Sequence, residues 1–245
     1  MKNEIFSFNY LARLYQYRKV YDVSMRYLSP GKDALDWGCG NGHFAYFLLQ
    51  QHVRTTGFSF DPPPDYLLSR PDFLHARGHT DDPVSLPFPD ATFDLVFSIG
   101  VLEHVHETGG TERASLAEIW RILKPGGYFL CFHFPNRYGW TEPLCSALGV
   151  AKYFHKRKYT REQIRSMAAD GRFDLLEWGR YNFLPRNELT WLPAAVSDTI
   201  AGAAAFNSID AIMAKCFPIF TQNHYFVCQK PPPIGENVPP VANRH

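Results

Sequence analysis

The sequence has no run of about 18 consecutive apolar residues, the length a helix needs to cross a bilayer, so a membrane-spanning chain is not expected. Its first residues, "MKNEIFSFNYLARLYQYRKVYDVSMRYL", lack the unbroken apolar core and small-residue cleavage site of a secretory leader. Cysteine is sparse and scattered, at positions 39, 131, 145, 216 and 228. The count is odd and no two form C-x-x-C, so neither a zinc ribbon nor a disulfide framework is expected. A reducing, cytoplasmic setting follows as the simpler reading. Charge of one sign is also missing: 25 Lys and Arg against 24 Asp and Glu leave a net charge of +1 over 245 residues. A nucleic-acid binder held by a broad basic face is therefore not expected. No G-x-x-x-x-G-K-[ST] occurs, which excludes a P-loop, and there is no internal repeat.

What is present is aromatic weight, 20 Phe, 13 Tyr and 5 Trp, and a regular alternation of elements. Residues 8–28 carry Leu11, Leu14, Tyr15, Tyr21 and Met25 at roughly helical spacing, and "SPGK" stops them. Strands are expected at 33–37, 53–61, 72–77, 93–99 and 128–134, with helices over 43–51 and through "TERASLAEIWRILKPGG". Thr160-Arg161-Glu162-Gln163 reads as a capping box, with Tyr159 and Ile164 as the hydrophobic staple and Gly171 as the stop. Strands at 173–178 and 224–229 complete the set, separated by a mildly apolar insert, 179–222. The pattern implies an α/β protein with a doubly wound, mostly parallel sheet. Residues 1–230 are expected to form one domain, with residues 1–30 as a helical lid. The proline-rich tail, 231–245, is expected to be extended or disordered.

The informative stretch is "LDWGCGNGHF", residues 35–44. A glycine-rich turn directly after a strand brings backbone amides close to a ligand at the carboxyl end of the sheet. Gly40, Gly42 and Ala45 fit the dinucleotide pattern G-x-G-x-x-A. Asp36, however, sits immediately before the turn, where a carboxylate repels a pyrophosphate and attracts an ammonium or sulfonium.

The chain resembles the class I S-adenosylmethionine-dependent methyltransferases, in particular the subgroup acting on quinones and other small molecules. Four blocks within residues 34–134 carry the likeness: "LDWGCGNG", "TTGFSFD", "DDPVSLPFPDATFDLVFSIGVLEHV" and "EIWRILKPGGYFL". The resemblance implies a Rossmann-like, seven-stranded fold with an N-terminal helix and a helical insert before the last strand. It also implies S-adenosyl-L-methionine as cofactor. Trp37, Gly38, Cys39 and Gly40 would line its methionine part, and Asp36 would hold the ammonium. The acidic residue usual at the end of the second strand is replaced by Ser59; Phe60 and Asp61 follow and share the ribose end. By count from Leu86-Pro87-Phe88 the adenine-binding aspartate is Asp82, but its successor Pro83 has no N–H to donate. Asp81 followed by the amide of Asp82 meets both needs, so both residues are candidates, with Asp81 favoured. Ser98, Ile99 and Gly100 would pack beside the reactive methyl.

Two histidines are candidate proton acceptors: His133, near the carboxyl end of the fifth strand, and His155. Glu103-His104 reads as a hydrogen-bonded pair orienting its loop, and no metal-ligand cluster is expected. "HKRK" (155–158), with Arg161 and Arg165, precedes a helix N-terminus and suits an anionic group or a solvated charge cluster. The expected reaction is methyl transfer to a hydroxyl of a small-molecule, lipid or glycan acceptor, without nucleic acid. Peripheral contact with a membrane surface is the amphipathic alternative for the insert. A dinucleotide oxidoreductase, an RNA methyltransferase and a non-catalytic cofactor-binding subunit are the rival readings.

Overall fold

A computed structural model describes residues 10–149, 154–185 and 192–233. Its strands are β1 Asp33–Trp37, β2 Arg54–Ser59, β3 Phe73–Arg77, β4 Phe93–Ile99, β5 Leu123–Pro135, β6 Asp174–Tyr181 and β7 Asn223–Gln229. The helices are α1 Leu11–Gln16, α2 Arg18–Met25, α3 His43–Gln50, α4 Asp65–Leu68, α5 Glu112–Ile122, α6 Thr141–Ala147, α7 Arg161–Asp170, α8 Ala194–Ser197 and α9 Ile200–Cys216. All seven strands form one sheet in the order β3-β2-β1-β4-β5-β7-β6. The first five pair in parallel. β7 runs antiparallel to both β5 and β6. The doubly wound, mostly parallel, seven-stranded sheet is therefore the one that forms, with a single reversed strand near one edge.

Period-2 alternation feeds two helical layers. Ala34, Leu95, Phe97, Leu130 and Phe132 pack toward α2 and α3, against Val20, Val23, Phe44 and Leu48. Leu35, Trp37, Val96, Phe129 and Cys131 pack toward α5 and α7, against Leu116, Ile119, Ile164 and Ala168. Fully buried side chains such as Phe97, Phe129 and Phe132 each contribute about 1.5–3 kcal/mol of transfer free energy. Strand order reverses between β1 and β4, and a crevice opens there at the carboxyl ends.

The expected helix over 8–28 is two helices, meeting at Tyr17, which stays αR with φ −78 and ψ −7. Buried Tyr17 sits edge-on to the rings of His43 and His133. α1 then leaves the sheet and packs on α9 through Ala12 and Ala203, with Leu11, Tyr15 and Phe206 around them. Asn207 Nδ2 donates to the Ala12 carbonyl across this contact at 3.2 Å. The insert is helical only in part, because β6 continues to Tyr181. The capping box forms on α7, with Gln163 N–H donating to Thr160 Oγ1 and Thr160 N–H to Gln163 Oε1. The left-handed residue after α7 is Arg172, φ 65, rather than Gly171. The proline-rich tail beyond residue 233 lies outside the described residues. Among the described residues no helix is long and apolar enough to cross a membrane.

Candidate active site

The glycine turn is hooked over the end of β2. Gly38 and Cys39 N–H both donate to the Phe58 carbonyl, at 2.7 and 3.0 Å. Gly38 has φ +78, and a Cβ there would lie 2.3 Å from Val101 Cγ2. The loop after β4 can close onto the turn only because position 38 has no side chain. Gly57 has the same function one strand away, since its Cβ would lie 2.8 Å from Cys39 Sγ. The Cys39 thiol therefore points inward and meets Ser59 Oγ at 3.5 Å. Burial pushes its pKa up to about 12, which leaves it unreactive.

Above the turn lies a cavity of about 320 Å³. Of the residues expected from sequence, it brings together Trp37, Gly38, Gly40, Ser59, Phe60, Asp61 and Gly100. Phe58, Pro83, Val101, His104, Val105 and Thr108 complete the wall; the sequence reading had given none of these six a cofactor contact. One end is hydroxyl and carboxylate, Ser59 and Asp61, and the flanks are apolar. Ser59 Oγ donates to the Asp61 carbonyl at 2.5 Å and lies 3.0 Å from His75 Nε2, a partner that sequence spacing did not signal.

The remaining candidates stand outside the cavity wall. Asp36 occupies the strand position facing α3; it is 2% exposed and accepts from the Ala45 N–H. Its Oδ2 has no hydrogen-bond partner among the described residues. Burial raises its pKa to about 7. Asp82 Oδ1 accepts from Ser85 N–H at 3.2 Å, and the Ser85 hydroxyl together with that amide holds its carboxyl below the usual range. The Asp82 N–H donates to the His79 carbonyl at 3.2 Å. The amide expected to serve adenine beside Asp81 thus already has a partner. Ser98 is fully buried and its Oγ accepts from Leu102 N–H at 3.2 Å, while Ile99 packs against the α3-side core.

His133 has φ +60 at an irregularity in the β5–β7 pairing. Its N–H donates to Tyr181 Oη at 2.7 Å, and Tyr181 Oη lies 2.8 Å from His133 Nδ1. One phenol oxygen thus binds both the backbone and the ring of His133 and fixes the ring's orientation. His155 is held differently. Its Nδ1 contacts Glu142 Oε1, and a carboxylate can only accept, so Nε2 is left with the lone pair. The His155 ring stacks on His104 at 5.5 Å. The "HKRK" cations are largely neutralised: Arg157 Nη1 donates to Glu112 at 3.0 and 3.1 Å, and Lys158 lies 2.8 Å from Glu142. The capping box already occupies the first amides of α7.

Residues 35–131 match the family model described as a methyltransferase domain. The chain carries a class I S-adenosylmethionine-dependent methyltransferase domain. An uncharacterized methyltransferase of Synechocystis is 30% identical over 129 residues, covering 50% of this chain and 58% of that protein. A Bos taurus protein named "Probable tRNA methyltransferase 9B" is 31% identical over 132 residues, 48% of this chain and 27% of that one. The chain spans about half the length of the first curated relatives it matches. In fold, the domain is similar to a chain of the complex between the Haloferax volcanii Trm112 methyltransferase activator and a methyltransferase. That likeness has a TM-score of 0.60 at 18% identity, over 89% of this chain and 92% of that one. The cofactor of the family is S-adenosyl-L-methionine, and the cavity fits it: a turn with glycines at 38 and 40, hydroxyl and carboxylate groups at Ser59 and Asp61, and apolar flanks for a base.

Proposed function

We propose that this methyltransferase domain acts on a hydroxyl of a small-molecule, lipid-linked or glycan acceptor. The observation that supports the reading is the join between two cavities. His104 lines the cofactor cavity, and His155, stacked on it, lines a second cavity of about 480 Å³ with Arg137, Lys156, Arg157 and Tyr159. When bound, the cofactor supplies an activated methyl group. In this reading Trp37, Gly38 and Gly40 hold its methionine part, Asp36 complements its ammonium, Ser59 and Asp61 receive the ribose, and Phe60 and Pro83 flank the adenine. His155, oriented by Glu142, takes the proton of the acceptor hydroxyl at Nε2. His133, the other histidine candidate, lines neither cavity. The protein's contribution is then mainly proximity and orientation.

Leu144, Leu148, Phe154, Phe217, Ile219 and Phe220 are exposed. They lie on α6 and on segments tied to it: the Trp140 N–H donates to the Phe220 carbonyl, and the Glu142 carboxylate accepts from the His155 N–H. An apolar rim beside a basic cavity suits an acceptor with a lipid part and an anionic or sugar part. α1, α2 and α9 are assigned the role of cover over this mouth. Titration calorimetry with S-adenosylhomocysteine and with NADH tests the cofactor assignment; binding of NADH alone would return the turn to a dinucleotide. Incubating cell extract with the protein and methyl-labelled cofactor, followed by mass spectrometry, identifies the acceptor. The similarity to a protein named for tRNA methylation favours RNA as the second reading. Steeply salt-dependent binding to bulk RNA, with label recovered in RNA, would replace the small-molecule assignment.

A further inference from the structure

Glu103, His104 and His155 each offer one ligand atom, and the three atoms lie within 4.8 Å of one another. Glu103 is 2% exposed, and its Oε1 is 3.8 Å from His104 Nε2. Both histidines are turned by a carboxylate on the opposite ring nitrogen. Glu107 Oε1 lies 3.2 Å from His104 Nδ1, and Glu142 Oε1 contacts His155 Nδ1. His104 thus turns Nε2 toward a buried carboxylate while its Nδ1 meets another, and His155 brings a second imidazole held at Nδ1 by a carboxylate into the same cluster; carboxylates on the far nitrogen are the outer-shell arrangement that orients metal-binding histidines and raises their basicity.

From this geometry we propose that Glu103, His104 and His155 bind one divalent transition-metal ion at the wall between the two cavities. Ligand atoms about 2.0–2.2 Å from a common ion require the cluster to contract by roughly an ångström, within reach of a side-chain rotation by partly exposed His155. Two nitrogens and one oxygen select zinc, cobalt or iron(II) over magnesium or calcium, which take oxygen-rich sets. Three protein ligands leave positions open. Resting on the methyl-transfer reading, those positions would be open to the acceptor: the ion would hold its hydroxyl oxygen and lower the pKa of that hydroxyl, whose proton would pass to solvent water, so that in the metal-loaded chain His155 serves as a ligand and the direct proton transfer to its Nε2 belongs to the metal-free chain.

Metal binding is testable without any acceptor. The full chain, treated with EDTA and dialysed, is titrated with cobalt(II) chloride and followed by visible absorption. One equivalent should give intense d–d bands of a low-coordinate site, and zinc chloride should abolish them. His155→Ala should weaken cobalt binding at least about 100-fold, and Glu142→Gln about 10–100-fold, the scale of an outer-shell loss. Circular dichroism and S-adenosylhomocysteine affinity of the variants check that the fold persists. Glu103→Gln adds the buried ligand, and partly exposed His155 provides the arm that leaves the core intact. No cobalt spectrum, or a spectrum unchanged in His155→Ala, would overturn the site and show an ion-pair network only. Failure of S-adenosylhomocysteine to bind the metal-free chain would instead overturn the cofactor assignment, leaving the metal result standing.

Discussion

Replacing Asp36 by Asn should stabilise the protein at alkaline pH and not at acidic pH. Asp36 is buried and its pKa is raised from 3.8 to about 7. The folded chain therefore holds a proton that the unfolded chain releases between these values. The associated stability is fully present below about pH 3.8, falls as pH rises, and is gone above about pH 7. At 1.36 kcal/mol per pKa unit the full span is about 4 kcal/mol, and the part between roughly pH 5 and pH 8 is about 2–3 kcal/mol. The Asn variant keeps an acceptor for the Ala45 N–H but does not ionise. Its new amide protons lack a partner, a loss of about 1–3 kcal/mol at every pH. The difference in unfolding free energy between variant and wild type should thus move by about 2–3 kcal/mol in the variant's favour from roughly pH 5 to pH 8. Urea denaturation at the two pH values measures it. A pH-independent difference would mean that Asp36 is ionised throughout and that the burial argument is wrong. A second arm addresses ligand binding. If the carboxylate faces the cofactor ammonium, S-adenosylhomocysteine should bind wild type more tightly as pH rises through about 7, with that dependence absent from Asp36→Asn.

Gly38→Ala combines φ +78 with a 2.3 Å approach to Val101; the resulting strain should lower stability by about 2–4 kcal/mol and weaken S-adenosylhomocysteine binding, read by thermal melts and calorimetry, and a wild-type melt would show that the turn is looser than described. Tyr181→Phe removes the partner of both His133 N–H and Nδ1; it should lower stability by about 1–3 kcal/mol and shift the His133 ring resonances in NMR titration, whereas an unchanged His133 titration would sever the pair. Burial lowers the His224 pKa to about 4, so its contribution is present above about pH 6.5 and lost as pH falls toward 4, by up to about 3 kcal/mol. In the Asp36→Asn background stability should therefore rise with pH across that window, and His224→Gln should flatten the rise.

The sheet was legible because each strand advertises itself locally. "FDLVFSI" is a short, mostly apolar run that coincides with β4, and the capping box at Thr160 sits at the start of α7. The break at Tyr17 was not legible, because one side chain's fit between two histidine rings, not a helix-breaking residue, ends α1. At the site, the glycine turn could be read from its place after a strand, and Ser59–Asp61 from the family resemblance, since both follow strand ends in sequence. The partners could not. His75 meets Ser59 across neighbouring strands, Tyr181 meets His133 over 48 residues, and His104 meets His155 over 51 residues only because α6 and the segment before α7 fold back on the loop after β4. The choice between Asp81 and Asp82 turned on the missing N–H of Pro83, but the hydrogen bond from Asp82 N–H to His79 depends on a turn that no local pattern announces.

The position of β7 has a consequence for the order of assembly. Of the seven described strands it is the last to leave the ribosome, yet it sits between β5 and β6. Until it arrives, β6 has no partner in the sheet, and β5 presents an open edge along a segment carrying Phe129, Phe132 and Phe134. A nascent chain ending before about residue 223 would thus display an apolar, unpaired strand edge, the feature that recruits other chains into aggregates. Polypeptides stalled or cleaved within the α9 region should need a chaperone to stay dispersed, while a chain that includes β7 closes that edge.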